Sequence, residues 1–326
     1  MSFIEVNQVS KEFKIYKRQK GFVNNLRSLL VREYETKKAV NDISFAINQG
    51  ELIGYIGPNG AGKSTTIKML SGILLPTHGQ ITVAGIVPYR ERKRNALQIG
   101  VVFGQRSQLN WDLPTEDTFE LYRRMYKVET ARYRRNVDFF VELLEMREFF
   151  RKPVRQLSLG QKMRAEIAIA LLHDPQILYL DEPTIGLDVV VKNKIRLFIR
   201  ELNREKKTTV ILTTHDMMDI DQICDRIIMI DKGRLLYDQP LASFKKSFSN
   251  DYYVLIEFAD GNPQQVDPRL QLIQKENGHK CLFSFDKDRI SLNEVLIYFS
   301  QNFQIIDISI KPPEIDEIVR RLYERQ

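Results

Sequence analysis

The pattern of apolar and polar residues divides the chain into a large N-terminal part and a small C-terminal part. Apolar residues nearly alternate over residues 4–9 and 39–47, as expected for two strands of an antiparallel sheet with one buried face. Short continuous apolar runs follow, and such runs are typical of strands buried on both faces of a parallel sheet. These runs are residues 51–56, 99–104, 177–180 and 208–214. The pattern therefore predicts an α/β fold with an antiparallel β part.

Two segments interrupt the strand pattern. Apolar residues take helical spacing within residues 106–156, most clearly at 118–126 and 137–150, which predicts a helical subdomain. Its arginines at 123, 124, 132, 134 and 135 are a candidate surface for a membrane partner or for lipid headgroups. Residues 14–38 carry Leu26, Leu29, Leu30 and Tyr34 at helical offsets among basic residues, which predicts a basic amphipathic insertion. That helix fits a membrane surface or a membrane partner, and it fits equally well against the protein's own sheet.

The C-terminal part has a pattern of its own. A hairpin over residues 226–237 closes the first domain near residue 240, and residues 241–250 fit a short helix with a polar linker. Beyond them, strands are predicted at 253–258, 270–274, 280–285 and 305–310, and helices at 293–299 and 314–323. Residues 251–326 are therefore predicted to form a small accessory α+β domain with a regulatory or dimer-supporting role.

Composition narrows the class of protein. The chain has 326 residues, of which 43% are hydrophobic and 28% charged, as expected for a folded protein with a sizeable core. No apolar run approaches the roughly 18 residues that span a bilayer, and the N-terminus lacks the pattern of a signal peptide. The net charge of +7 fits contact with nucleic acid, with lipid headgroups or with water alone. Only Cys224 and Cys281 are present, which favours a reducing cytoplasm.

The most specific motif is the run Gly57-Pro58-Asn59-Gly60-Ala61-Gly62-Lys63-Ser64, which fits the phosphate-binding loop G-x-x-x-x-G-K-[ST]. It lies between the apolar run 51–56 and a segment of helical spacing that begins at Thr65. Backbone N–H groups of such a loop, and the N-terminus of the following helix, bind phosphate oxygens. Lys63 is expected to reach the β- and γ-phosphates, and the Ser64 hydroxyl to ligate Mg²⁺. The chain is therefore predicted to bind a nucleoside triphosphate.

Polar side chains follow the later apolar runs. Asp181 and Glu182 end the run that begins at residue 177, where Asp181 is expected to hold Mg²⁺ and Glu182 to orient the attacking water. His215 follows the run 208–214, and it fits either a γ-phosphate sensor or a structural histidine. Gln105 follows the run 99–104, and its amide is a candidate to contact Mg²⁺ or the water.

Two further motifs lead to a family. The run Leu157-Ser158-Leu159-Gly160-Gln161 resembles the L-S-G-G-Q signature of ABC-type ATPases, with Leu159 where the first signature glycine normally lies. Thr184-Ile185-Gly186-Leu187-Asp188 and His215 follow in the order of that family. The resemblance covers roughly residues 3 to 240, and it implies an α/β P-loop NTPase of ABC type over residues 1–240. Leu159 could weaken ATP-dependent closure or mark a subfamily.

The resemblance also implies an assembly. In this family, the helix start at Ser158, Gly160 and Gln161 contacts the γ-phosphate bound to the opposite subunit, and Asp188 lies at the same interface. The helix is expected over residues 163–172. Thr65 joins the nucleotide-binding set, and Phe13 is the candidate to stack on adenine, with Tyr16 as its alternative. Either ring could equally be a core aromatic.

The resulting prediction is the ATP-hydrolysing subunit of an ABC membrane transporter. It is expected to pair with a second ATPase subunit, favouring a homodimer, and to drive ABC-2 type transmembrane permease subunits of an exporter. Its expected place is the cytoplasmic face of the cell membrane, bound peripherally through the permease. The alternative is a soluble ABC ATPase acting on nucleic acid or the ribosome. Such chains usually carry two ATPase domains or a long coiled coil, and the sequence patterns indicate neither.

Overall fold

The computed structural model describes residues 2–16, 34–104, 107–247, 251–259, 266–276, 279–311 and 315–324. The chain divides into two units, Met1–Gln239 and Pro240–Gln326, hereafter the N-terminal and C-terminal units. No helix within these described ranges is long and apolar enough to cross a membrane.

The N-terminal unit consists mainly of two sheets and seven α-helices among its described residues. In chain order the elements are β1 (Ile4–Tyr16), β2 (Tyr34–Ile47), β3 (Leu52–Ile56), α1 (Lys63–Leu70), β4 (His78–Val83), α2 (Arg92–Gln98), β5 (Ile99–Phe103), α3 (Thr115–Met125), α4 (Thr130–Leu143), a 3₁₀ turn (Val154–Gln156), α5 (Leu159–Ala170), β6 (Ile177–Asp181), α6 (Val189–Lys206), β7 (Thr209–Thr213), α7 (Met217–Ile223), β8 (Arg226–Asp231) and β9 (Arg234–Pro240).

The larger sheet places the candidate site residues at the carboxyl ends of its strands. Its strand order is β5-β6-β7-β3-β8-β9, and the pairs among β5, β6, β7, β3 and β8 are parallel. Every residue of β3 and β7 is buried, as expected for strands covered on both faces. The register pairs Asp181 with Phe103 on one side and with Thr213 on the other. The carboxyl ends of β5, β6 and β7 therefore meet beside the phosphate-binding loop.

The smaller sheet has the order β2-β1-β4, and its pairs are antiparallel. Both β1 and β2 are longer than predicted, because their pairing continues outward to Tyr16 and Tyr34. The basic amphipathic insertion predicted over residues 14–38 was wrong at both ends, because residues 14–16 belong to β1 and residues 34–38, Tyr34 included, belong to β2. The rest of the predicted insertion, residues 17–33, lies outside the described residues.

Three predicted helices have different bounds in the helical part of this unit. The helix predicted at 118–126 is α3 (Thr115–Met125), and the helix predicted at 137–150 is α4 (Thr130–Leu143). The side chain of Glu129 accepts a hydrogen bond from Ala131 N at the start of α4, and Glu145 has a left-handed φ of 49° just beyond its end. The signature helix, α5, begins at Leu159 rather than at residue 163, because Ser158 caps it.

The C-terminal unit contains α8 (Leu241–Ser247), β10 (Asp251–Phe258), β11 (Leu270–Glu276), β12 (Lys280–Asp286), α9 (Leu292–Asn302), β13 (Ile305–Lys311) and α10 (Ile315–Glu324). The four strands among its described residues form an antiparallel sheet in the order β11-β12-β10-β13. Val295 and Phe299 of α9 share a buried core with strand residues such as Val254 and Phe283. The unit is an α+β structure, as the pattern of strands and helices predicts.

Candidate functional site

The phosphate-binding loop connects β3 to α1 and holds its lysine in place. Lys63 is only 6% exposed, and its Nζ donates to the carbonyl oxygens of Gly57 at 2.5 Å and Pro58 at 3.1 Å. Burial lowers the pKa of Lys63, whereas the charges of Glu182 and Asp181 act in the opposite direction. The ammonium group of Lys63 is therefore buried and bound to carbonyl oxygens of its own loop. An anion such as phosphate is a stronger acceptor and could replace those carbonyls.

Gly62 ends the loop in a conformation that other residues rarely adopt. Its φ is 108°, and a Cβ atom there would lie 2.4 Å from the carbonyl oxygen of Ala39. Its own carbonyl accepts a hydrogen bond from the Thr66 hydroxyl at 3.1 Å, and the Tyr55 hydroxyl donates to Thr66 at 3.1 Å. Buried groups of β3 and α1 therefore fix the end of the loop. The predicted residues Pro58, Asn59, Gly60 and Ala61 lie in this loop, and Thr65 lies in the first turn of α1.

Oxygen atoms from three elements converge on the end of β6. The Ser64 hydroxyl, at the start of α1, donates to Asp181 Oδ1 at 3.2 Å. The Thr213 hydroxyl, at the end of β7, donates to the same oxygen at 2.5 Å. Carboxylate and hydroxyl oxygens are the ligands that Mg²⁺ prefers, together with phosphate and water oxygens. The pair Ser64 and Asp181 therefore fits one side of a magnesium site, and Thr213 orients the carboxylate.

Glu182 has an unusual backbone at the same point. Its φ is 58°, in the left-handed region, and its N–H donates to the carbonyl oxygen of Thr213 at 2.9 Å. Such a backbone costs of the order of 1 kcal/mol in a non-glycine residue and is concentrated at functional sites. Its carboxylate oxygen Oε1 lies 2.7 Å from His215 Nε2. Both side chains line a cleft of about 560 Å³ together with Asn59, Ser64 and Asp181.

A buried polar network supports these two residues, and the sequence analysis missed it. Asp219 on α7 is fully buried and accepts hydrogen bonds from Thr184 Oγ1 at 2.5 Å, Thr214 Oγ1 at 2.9 Å and Arg196 Nε at 2.6 Å. Thr184 lies two residues after Glu182, and Thr214 immediately precedes His215. The signal in the sequence was a set of polar residues flanking the candidate site, but Asp219 lies 35 residues after Thr184, and no local pattern joins these two residues.

The signature segment is arranged as a helix start. The Ser158 hydroxyl accepts from Gln161 N at 3.2 Å, and Gln161 Oε1 accepts from Ser158 N at 2.9 Å, which is a capping box. Leu159 is 52% exposed and takes no part in this cap, so its presence leaves the helix start intact. Gly160 is buried in the first turn. None of the described residues 158–161 lines the cleft beside Asp181.

The other predicted residues fall in separate places. Asp188 caps α6, where its Oδ1 accepts from Val191 N at 2.9 Å. Phe13 lies in β1 and is 38% exposed, with Lys11 Nζ 5.2 Å from its ring centroid, so it is not a core aromatic. Tyr16 ends the same strand. Gln105 lies outside the described residues.

Three of the arginines proposed as a partner surface lie beside acidic side chains. Glu120 binds Arg123 through Nε and Nη2, each at 2.7 Å, and Arg124 through Nε at 3.0 Å. Arg132 Nε lies 4.0 Å from the Asp174 carboxylate. The positive charge of this region is therefore smaller than the sequence suggests, because i,i+3 and i,i+4 spacing brings the acid to the bases.

Comparison with known proteins gives consistent matches. A family model described as ABC transporter matches residues 40–185, which include the loop, the signature and both carboxylates. The chain is similar to the ABC transporter ATP-binding protein NatA of Bacillus subtilis (strain 168), at 35% identity over 210 residues, covering 64% of this chain and 85% of that protein. It is also similar to the Nod factor export ATP-binding protein I of Rhizobium johnstonii, at 31% identity over 302 residues. That match covers 90% of this chain and 93% of the relative.

The fold is also similar to a solved structure, a dimeric post-hydrolysis state of the ATP-binding cassette MJ0796 bound to ADP and Pi. The TM-score is 0.61 at 26% identity, and the match covers 73% of this chain and 98% of that one.

Proposed function

The chain belongs to the family of ABC transporter ATP-binding proteins, and from that premise we propose how its own residues bind and hydrolyse ATP. It is the ATP-binding and ATP-hydrolysing subunit of such a transporter. The proposed mechanism rests on the contact between Glu182 and His215. Both residues line the same cleft as Ser64 and Asp181.

The loop is the nucleotide site in this proposal. Backbone N–H groups of residues 57–62, and those at the N-terminus of α1, donate to phosphate oxygens. Lys63 exchanges its bonds to the carbonyls of Gly57 and Pro58 for bonds to the β- and γ-phosphates. The exposed ring of Phe13 stacks on the adenine.

Ser64 and Asp181 are the residues that hold Mg²⁺, because their oxygens adjoin each other at the end of β6. When bound, Mg²⁺ neutralises the negative charge of the phosphates. Thr213 keeps the Asp181 carboxylate in place, since it donates to the oxygen that Ser64 also contacts.

Glu182 is the general base. Its carboxylate accepts a hydrogen bond from a water molecule and takes the proton as the water oxygen attacks the γ-phosphorus and the bond to the β–γ bridging oxygen breaks. His215 orients that carboxylate through Nε2 before nucleotide binds, and it gives up this hydrogen bond to donate to the γ-phosphate when the phosphate is present. The network around Asp219 fixes the backbone on both sides of this pair.

We infer a head-to-tail homodimer as the working state, because the chain has one phosphate-binding loop and one signature. The positive dipole end of α5, with the N–H groups of its first turn that the capping box does not use, suits a γ-phosphate held by the partner copy. The dimeric state named for the MJ0796 cassette supports this arrangement.

The partners are transmembrane permease subunits of ABC-2 type, and the direction of transport is export. The relative named for Nod factor export supports this, since its match extends over 90% of this chain and so reaches into the C-terminal unit. The subunit would then work at the cytoplasmic face of the cell membrane, attached through the permease.

The test is to tag the chain, extract it gently from its native membrane and identify the proteins that accompany it. Co-purification of integral membrane subunits with the sequence features of ABC-2 permeases is the expected result. Recovery with ribosomes or nucleic acid, lost as salt concentration rises, would replace this proposal by the soluble alternative.

A further inference from the structure

Four apolar side chains beside the candidate site are exposed to water. Leu159 begins the signature helix α5, Ile185 lies in the turn after β6, and Val189 and Val190 begin α6. Each of the four is at least 49% exposed. A single exposed aliphatic residue is ordinary, whereas a contiguous apolar patch marks an interaction surface. The meaning of these four residues therefore depends on whether they adjoin one another.

Two close approaches of the backbone bring these side chains together. A Cβ atom at Gly186 would lie 3.2 Å from Leu159 Cδ2, so the leucine lies beside the residue that follows Ile185. A Cβ atom at Gly160 would lie 3.1 Å from both γ-carbons of Val191, so the start of α5 adjoins the start of α6. The exposed side chains therefore form one surface, which we call the apolar seam: Leu159, Ile185, Val189 and Val190.

Charged groups next to the seam are paired within the same chain. Lys192 Nζ lies 2.7 Å from Asp216 Oδ2, and Lys194 forms an ion pair with Glu145. Asp188 caps the N-terminus of α6. Charges of one sign that face each other across an interface oppose association, and pairing them within the chain reduces that effect. Two copies can therefore bring their seams together without strong repulsion between these groups.

The position of the seam beside the cleft identifies a second copy of the chain as its partner. Ile185 lines the cleft together with Glu182, and in the proposed head-to-tail dimer the partner copy covers that cleft. Leu159 lies between Ser158 and Gly160, which face the partner's nucleotide in the same arrangement. Both ends of the seam therefore face the partner copy, and this step rests on the proposed function.

We propose that the apolar seam holds two copies of this chain in contact before nucleotide binds. Removing apolar surface from water requires neither phosphate nor a metal ion, and it stabilises association in rough proportion to the area buried. ATP then strengthens a contact that already exists, instead of creating the whole of it. Leu159 has a distinct part in this contact, because the glycine that normally lies there in the family signature has no side chain to bury.

The experiment measures self-association of the purified full-length chain by sedimentation equilibrium, without nucleotide and with a non-hydrolysable analogue of Mg-ATP. Without nucleotide, the wild type should form dimers at a chain concentration of about 100 μM. Leu159→Gln replaces the leucine by a polar side chain of similar size. It should weaken the association at least about tenfold, because a two-fold dimer buries the leucine of both copies. Leu159→Met stays apolar and should remain within about threefold of the wild type.

Leu97→Gln is the matched control. Leu97 on α2 is 54% exposed, against 52% for Leu159. It lies just before β5, at the opposite end of the parallel sheet from the cleft, so its variant should associate as the wild type does. Both glutamine variants should unfold at the urea midpoint of the wild type, since both leucines are exposed. A change in association is then not a defect in folding.

Two results would overturn the seam. One is a wild type that stays monomeric without nucleotide at this concentration, and the other is a Leu159→Gln variant that associates no more weakly than the Leu97 control. The samples with nucleotide test the proposed function separately, because the analogue should tighten the wild-type dimer at least about tenfold. Association that depends on Leu159 but is not tightened by the analogue would contradict closure on ATP and leave the seam standing.

Discussion

Replacing Asp219 by alanine is expected to destabilise the N-terminal unit strongly. The Asp219 carboxylate is fully buried, and its Oδ1 accepts a hydrogen bond from Arg196 Nε at 2.6 Å. Arg196 itself is only 4% exposed. The other oxygen of Asp219 accepts from the hydroxyls of Thr184 and Thr214. Truncation leaves the guanidinium in the interior with Asp216 at 3.2 Å and Asn193 at 3.1 Å as remaining partners, and both hydroxyls lose an acceptor.

The size of the effect follows from that burial. Removing one member of a buried ion pair typically costs 3–5 kcal/mol, because the other charge stays desolvated, so we expect a loss of about 3 to 5 kcal/mol. The assay is urea unfolding followed by the fluorescence of Trp111, the single tryptophan of the chain, which lies in the same unit as Asp219. The free energy of unfolding of the variant is compared with that of the wild type.

Two controls separate burial from charge. Asp225→Asn removes the charge of an exposed ion pair, in which the Asp225 side chain is 64% exposed and the Arg200 side chain 44% exposed. It should lower the free energy of unfolding by less than about 1 kcal/mol. A double variant with Asp219→Leu and Arg196→Met should recover at least about half of the loss, because it removes both buried charges. If Asp219→Ala costs no more than the Asp225 control, the argument that this network supports the site is wrong.

Three further predictions follow from individual residues. Lys63→Ala should weaken Mg-ATP binding at least about tenfold in calorimetry, since the buried cation is lost, and unchanged affinity would contradict the loop assignment. Burial lowers the pKa of His173 to about 4, against about 6.5 in an unfolded chain. The neutral His173 ring therefore contributes its full stability above pH 6.5, and this contribution is lost as the pH falls to 4. Between pH 7 and pH 4, the free energy of unfolding measured in urea should fall by about 3 kcal/mol more for the wild type than for His173→Asn. Leu159→Gly should change stability by about 1 kcal/mol or less in the same assay, because the Ser158 cap does not use the leucine side chain; a larger loss would show that Leu159 packs within the unit.

Local patterns predicted most of the scaffold. The buried strands could be found because they are short apolar runs, and the end of each run marked Asp181 or His215 as a site residue. The phosphate-binding loop has a fixed spacing, since its backbone must close around phosphate, and so the sequence alone marks Lys63 and Ser64 as candidate nucleotide-binding residues.

Long-range contacts could not be predicted in the same way. Glu166 meets Gln108 across 58 residues, and Asp219 meets Thr184 across 35, so no local spacing marks either carboxylate. The left-handed backbone of Glu182 is equally invisible in sequence, because a φ of 58° is uncommon for a residue other than glycine. The opening of α5 at Ser158 was expected, but the helix itself was placed at residue 163; Ser158 and Gln161 form a capping box, so the helix begins at Leu159, four residues earlier.

The central claim is that Glu182 is the base of an ATPase, and one comparison tests it most directly. Steady-state ATP hydrolysis is measured for the purified chain and for Glu182→Gln, with Mg-ATP binding and subunit association recorded on the same samples. The kcat should fall at least about 100-fold in the variant, while Mg-ATP still binds and holds two copies together as a dimer. A variant that hydrolyses ATP at the wild-type rate would show that Glu182 is not the base.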